Sequence, residues 1–119
     1  MKKLFVGVVV ALLAPVAARA ADKDGNFQVL GAGVVSCQRY LDSGIEDHRN
    51  VEIWWAGYVS AMNRTTDDTW GLTGGKAPAD VNKMIEDECS AHPQELLGIA
   101  VHNVLEQLYK TRTRESPNK

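Results

Sequence analysis

The chain has 119 residues, of which 13 are basic and 15 acidic, so its formal net charge is −2. This length is typical of one small domain, and the sequence contains no internal repeats. The acidic balance argues against nucleic acid and against an anionic membrane surface as partners, because both select basic proteins.

Residues 1–20 have the pattern of a secretory signal peptide. The basic start MKK precedes the apolar stretch LFVGVVVALLAPVAA, and the small residues Ala18 and Ala20 form a signal-peptidase site. The apolar stretch is shorter than the ~20 residues of a membrane span, so we expect no membrane insertion after cleavage. We predict an exported protein, periplasmic or secreted, that begins at Ala21. Three of the 13 basic residues lie in the signal, which leaves 10 basic against 15 acidic residues and a net charge of −5.

Cys37 and Cys89 are the two cysteines of the sequence, and both lie in the mature chain. In an oxidising compartment an isolated pair forms a disulfide by default. Closing a loop of about 50 residues stabilises the folded state by roughly 4 kcal/mol in the chain-entropy description. That is a large share of the ~5–10 kcal/mol typical of small domains. The pairing also argues against a Cys89–His92 nucleophile, which needs a free thiolate.

Residues 21–33 mix charge, glycine and a little apolar character, which predicts a flexible N-terminal arm. Gly31 and Gly33 form a Gly-x-Gly pattern. The third glycine of the dinucleotide fingerprint is absent, because Ser36 occupies its place. The pattern therefore indicates a flexible turn and not a nucleotide loop.

Apolar residues at helical spacing predict four helices, two long and two short. The predicted segments are 34–44, 50–64, 78–89 and 93–109. Asn50 is a natural N-cap, and Pro93 suits a first helical turn, where its missing N–H needs no partner. No stretch alternates as a strand does. The fold class is therefore all-α, a small four-helix bundle-like domain with one disulfide over residues 34–112, followed by a frayed tail over 113–119.

Residues 63–78 interrupt the helical pattern with clustered Thr, Asp and Gly, which predicts a surface loop. A loop of this length is usually functional or mobile. It contains two large apolar residues, Trp70 and Leu72, which either pack under the loop or lie exposed on it.

No set of residues forms a recognisable catalytic or metal-binding motif. The three histidines, His48, His92 and His102, have no paired spacing, and zinc needs about four clustered ligands. The consecutive acids 86–88 cannot all face one substrate and are typical of a solvated helix face. The sequence therefore predicts a non-enzymatic protein with no cofactor and no metal.

The aromatic residues are the candidates for a binding surface, namely Trp54, Trp55, Tyr58 and Trp70, together with Leu72. Successive helical residues point about 100° apart, so Trp54 and Trp55 cannot face the same way. One of them is then free to anchor a partner, as tryptophan does at interface hot spots. Alternatively, both are buried between several helices.

The order of the motifs resembles two families of small exported helical proteins. SCQRYL, GYVSAMN and VNKMIEDECSAHPQELLGIAVHNVLEQLYK follow one another as in HdeA/HdeB-type acid-stress chaperones, in which one disulfide joins an early helix to the helix before the last one. GYVSAMN and AHPQELLGIAVHNVLEQL are also similar to the Gly-Tyr-Val and His-Pro-Glu segments of Tai-like immunity proteins of type VI secretion. That family usually has further cysteines, which are missing here. The resemblance covers most of residues 34–110, supports the Cys37–Cys89 pairing and carries over no catalytic residue.

The resemblance implies a binding protein whose partner is another protein. An HdeA-like protein would hold unfolded clients at low pH, where carboxylates take up protons and a fold or homodimer that depends on them loosens. A Tai-like protein would bind and neutralise a secreted toxin, with Trp55, Trp70 and the loop 63–78 as anchors. The sequence alone leaves both hypotheses open.

Overall fold

The structure, a computed structural model, describes residues 21–119. The predicted signal peptide, residues 1–20, lies outside the described residues. The four α-helices are α1 (Cys37–Leu41), α2 (Ile45–Thr65), α3 (Pro78–Ala91) and α4 (Leu97–Leu108), and short 3-10 helices cover Gly31–Val34 and Tyr109–Thr111. Residues 21–119 contain two isolated β-bridges and no strand. The predicted all-α fold of four helices is confirmed, whereas the last helix, predicted to be long, is shorter than the third.

Helix α4 lies at the centre of the core. Its apolar residues recur every three or four positions, and Leu97, Val101, Val104 and Leu108 are all buried. Helices α1, α2 and α3 and the first 3-10 helix all contact α4. Over residues 21–119, no helix has the length and apolar character that crossing a membrane requires.

The disulfide ties the shortest α-helix to the core. Cys37, the first residue of α1, is bonded to Cys89 near the end of α3, and both side chains are fully buried. A five-residue helix is not stable on its own, so α1 depends on this bond and on Tyr40, which is also buried. The predicted Cys37–Cys89 pairing is confirmed.

The last helix begins later than predicted, at Leu97 instead of Pro93. The intervening backbone bonds to α1, since the Cys37 N–H donates to Glu95 O at 2.8 Å and the Gln38 N–H to Pro93 O at 2.8 Å. Because these carbonyl groups accept hydrogen bonds from α1, residues 93–96 form a turn and not the first turn of the helix. The predicted placement of Pro93 in the first turn of the helix is therefore wrong.

The second helix begins earlier than predicted, at Ile45 instead of Asn50. Its N-cap is Gly44, with no side-chain hydrogen bond. Glu46 and Asp47 lie in the first turn, where negative charge is favourable. A side-chain cap at Asn50 was therefore not needed to start the helix.

Ordered packing also begins earlier than the predicted domain boundary at residue 34. The 3-10 helix Gly31–Val34 starts inside the predicted arm 21–33, and α1 follows it with Ser36 as its N-cap. At the other end, Thr113 pairs with Gly71 through an antiparallel bridge, so the first residue of the predicted tail 113–119 contacts the loop.

The loop between α2 and α3 is attached at several points. The Leu72 N–H donates to Asn63 Oδ1 at 2.8 Å, and the Thr113 N–H donates to Gly71 O at 2.9 Å. Arg112 Nε donates to Thr69 Oγ1 at 3.0 Å. The two large apolar residues of the loop have different environments. Leu72 is buried in the core, and Trp70 is 51% exposed.

Candidate functional site

Aromatic side chains of α2 and α4 meet where the two helices are in contact. The rings of Trp54 and Tyr58, one helical turn apart, stack at a centroid distance of 5.6 Å. Tyr58 Oη lies 3.0 Å from His102 Nδ1 on α4. We call this surface, with Met62 and Leu105, the α2–α4 face.

The N-terminal arm covers one end of the α2–α4 face. Trp54 Nε1 donates a hydrogen bond to Leu30 O at 2.8 Å, and the Phe27 ring lies 5.2 Å from the His102 ring. Gly31 and Gly33 let the backbone pass directly over the indole, because a Cβ atom at either position would press on Trp54. The arm leaves the Leu30 side chain 66% exposed.

Trp55 points the other way, as the 100° rotation per residue requires. It is buried, and its Nε1 donates to Asn82 Oδ1 at 2.8 Å. The Asn82 amide in turn donates to Glu52 Oε2 at 2.7 Å. Trp55 and Leu72 are therefore core residues in this conformation, and the expectation that they present a surface to a partner is wrong.

Two hollows flank the contact between Tyr58 and His102 on the α2–α4 face. The first, of about 360 Å³, is lined chiefly by the arm, Trp54 and Tyr58. The second, of about 380 Å³, lies beyond His102 and is lined by Met62, Leu105 and Tyr109 among others. Apolar side chains dominate both linings, and hollows of this size accept bulky apolar side chains.

Tyr58, His102 and Glu106 form a row of polar contacts between the hollows. His102 Nε2 lies 3.5 Å from Glu106 Oε1. Burial, and next the Glu106 carboxylate, raise the pKa of Tyr58, so its phenol stays neutral in its hydrogen bond with His102 Nδ1. A nucleophilic tyrosine would need the opposite shift. The shift therefore gives Tyr58 no nucleophilic character.

Trp70 is the exposed aromatic of the candidate set, since Trp54 and Tyr58 are half-buried. It lies on the attached loop, where its backbone N–H donates to Thr113 O at 2.9 Å. Asp68 beside it pairs with Arg114 at 2.7 Å and with Arg112 at 3.5 Å. The loop thus holds a half-exposed indole on a fixed backbone.

Helix α3 carries a polar contact that the sequence analysis missed. The acids 86–88 were expected to be solvated, yet the Glu88 side chain is only 14% exposed. Its carboxylate accepts hydrogen bonds from Asn103 at 2.9 Å and from Gln107 at 3.3 Å, both on α4. No local pattern distinguishes Glu88 from its two acidic neighbours, because its partners Asn103 and Gln107 lie on another helix.

Tyr40 gives the structure a measurable response to high pH. Burial, and next the carboxylates of Glu86 and Glu52, raise the pKa of Tyr40 to about 12, against ~10 in an unfolded chain. The folded state therefore favours the neutral phenol, and this contribution to stability is complete below pH ~10 and is lost as the pH rises toward 12. We expect Tyr40→Phe to lose less free energy of unfolding than the wild type between pH 10 and 12, by up to about 2 kcal/mol. Urea unfolding at a series of pH values measures the difference, and equal slopes for the two proteins would refute it.

Comparisons of the chain with protein-family models, with curated proteins and with solved structures found no match.

Proposed function

We propose that the chain is an exported, non-enzymatic protein that holds apolar segments of unfolded proteins, in the manner of HdeA/HdeB-like acid-stress chaperones. The observation that carries the proposal is the α2–α4 face, where two neighbouring apolar hollows lie on either side of Tyr58 and His102. Each hollow is open to apolar side chains of a client segment. Such contacts are tolerant of sequence, as a protein with many clients requires.

Export is supported by two features. Residues 1–20 have the charge and hydrophobicity of a signal peptide, and the two cysteines form a disulfide, the form that they adopt in oxidising compartments. The covalent tie would keep the helices associated while weaker contacts open.

Acid response is supported by where the carboxylates lie. Three groups of tertiary contacts use a carboxylate as the acceptor, namely those of Glu52, Glu88 and Asp68. Carboxylates are protonated at pH 2–3, and hydrogen bonds to charged acceptors are the stronger ones. Acid thus weakens the tertiary contacts that these carboxylates make.

The α2–α4 face can be tested by placing a charge at its rim. Leu30 lines the first hollow with an exposed side chain, so Leu30→Lys adds a charge that persists at pH 2–3 without disturbing the core. We expect the wild type to suppress aggregation of a model client at pH 2–3 and Leu30→Lys to need several-fold more protein for the same protection. Light scattering over a range of protein-to-client ratios measures this.

The matched control is Ile45→Lys. Ile45 is 87% exposed at the start of α2 and lines neither hollow. We expect this variant to protect as the wild type does. Equal loss of protection in both variants would show that the added charge, and not its position, causes the loss. No protection by the wild type at any ratio of protein to client would reject the chaperone role.

A second candidate function, a Tai-like immunity protein, is favoured by one specific observation. Trp70 is half-exposed on a loop fixed by Arg112 and Thr113, an arrangement suited to one folded partner at neutral pH. The test is co-expression with a toxin encoded next to this gene. Protection that Trp70→Ala abolishes, while Leu30→Lys retains it, would support immunity over client holding.

A further inference from the structure

Three metal-ligating side chains meet where α3 ends and the turn before α4 begins. Glu88 and His92 are four residues apart at the end of α3, and Glu95 follows in the turn. One donor atom from each residue lies within 4.8 Å of the other two. Donors that bind zinc at about 2.0–2.2 Å in a tetrahedron are about 3.4 Å apart, so side-chain movements of roughly 1.5 Å bring the set to coordination distance.

One of these carboxylates is left with an unsatisfied oxygen. Among the buried side-chain nitrogen and oxygen atoms of residues 21–119, Glu95 Oε2 alone has no hydrogen-bond partner. The Glu95 backbone is fully used, since its N–H donates to His92 O at 3.0 Å and its C=O accepts the Cys37 N–H at 2.8 Å. A buried carboxylate oxygen without a donor is costly, and a bound cation removes that cost.

The surroundings hold one of the three donors, Glu88, in place. Asn103 and Gln107 donate to the two oxygens of Glu88 and fix its orientation. Outer hydrogen bonds of this kind orient the carboxylates and imidazoles of metal sites. Cys89, next to Glu88, is bonded to Cys37, so the end of α3 is covalently fixed as well.

We propose that Glu88, His92 and Glu95 bind a divalent transition-metal ion and that Zn²⁺ is the ion this donor set fits. One imidazole nitrogen and two carboxylate oxygens are typical zinc ligands, with the fourth position open to water or to a group of a partner. Ca²⁺ requires six to eight oxygen ligands, more than this set supplies. The ion joins the end of α3 to the turn before α4, at the point where that turn bonds to α1.

Titration of the purified, untagged chain with zinc chloride near pH 7 in a calorimeter tests the site. We expect one-to-one binding by the wild type. Loss of one ligand should weaken it at least about tenfold in Glu95→Gln and in His92→Gln, because metal sites lose about 10–100-fold even for changes outside the direct ligands. Zinc should also raise the unfolding temperature of the wild type, since it binds the folded state, and raise that of Glu95→Gln less at the same zinc concentration.

The matched control is Glu86→Gln, a neighbouring carboxylate on the same helix that is not part of the set. It should bind zinc as the wild type does. Zinc affinity that is the same in Glu95→Gln and in the wild type, or no binding by the wild type, would overturn the proposal. Either failure leaves the proposed function intact, because client holding depends on the α2–α4 face.

Discussion

Replacing both cysteines by alanine is expected to lower the free energy of unfolding by about 4 kcal/mol. The two residues are 52 positions apart, so the bond removes much of the freedom of the unfolded chain. It also fixes the five-residue α1 to α3, and the 93–96 turn bonds to this part of α1. For a domain of this size a loss of this magnitude lowers the unfolding temperature by roughly 20 °C.

Urea unfolding of Cys37→Ala/Cys89→Ala against the oxidised wild type measures the loss. The wild type in the presence of a reductant is the matched control, because it lacks the bond but keeps both side chains. The two proteins without the bond should unfold at similar urea concentrations. A loss below about 1 kcal/mol in both would show that the helices associate without the covalent tie.

Gly33→Ala is expected to destabilise the fold by about 1–3 kcal/mol, which is typical of overpacking. A Cβ atom at Gly33 overlaps the ring of Trp54 and the side chain of Val29. The indole cannot simply move aside, because it stacks on Tyr58 and donates to Leu30 O. The arm must therefore lift from the α2–α4 face, which exposes the aromatic surface.

The matched control is Gly57→Ala, because a Cβ atom there meets nothing within 4 Å and the residue is exposed within α2. Alanine should stabilise this helical position by about 0.5–1 kcal/mol. Urea unfolding measures the change in the free energy of unfolding for each variant. Tryptophan fluorescence should shift to longer wavelength in Gly33→Ala alone. An unshifted spectrum together with unchanged stability would contradict the close packing of the arm on Trp54.

Local patterns were sufficient to predict the helices and the disulfide. The spacing of Val81, Ile85 and Cys89 marked the buried side of α3, and all three are buried. The disulfide was predictable because the chain was expected to be exported and its two cysteines allow a single pairing. The rotation between Trp54 and Trp55 was also predictable, because it follows from helix geometry alone.

Features that depend on contacts between distant segments could not be predicted. The late start of α4 is caused by hydrogen bonds from Cys37 and Gln38 to the turn 93–96, and no local signal reports them. Glu88 looked like part of a solvated acidic run, yet amides of α4 reach it. The contact of Tyr58 with His102 joins residues 44 positions apart. Secondary-structure propensity describes a single segment and cannot identify the distant residues that this segment will contact.

Photo-crosslinking from the α2–α4 face tests the central claim most directly. A photoreactive side chain at Gly57, which lines the first hollow, is compared with the same side chain at Asp87, an exposed position on α3 that lines neither hollow. With an acid-unfolded client at pH 2–3, the account predicts strong adducts from position 57 and weak ones from position 87. Equal adducts from both positions, or none from position 57, would contradict it.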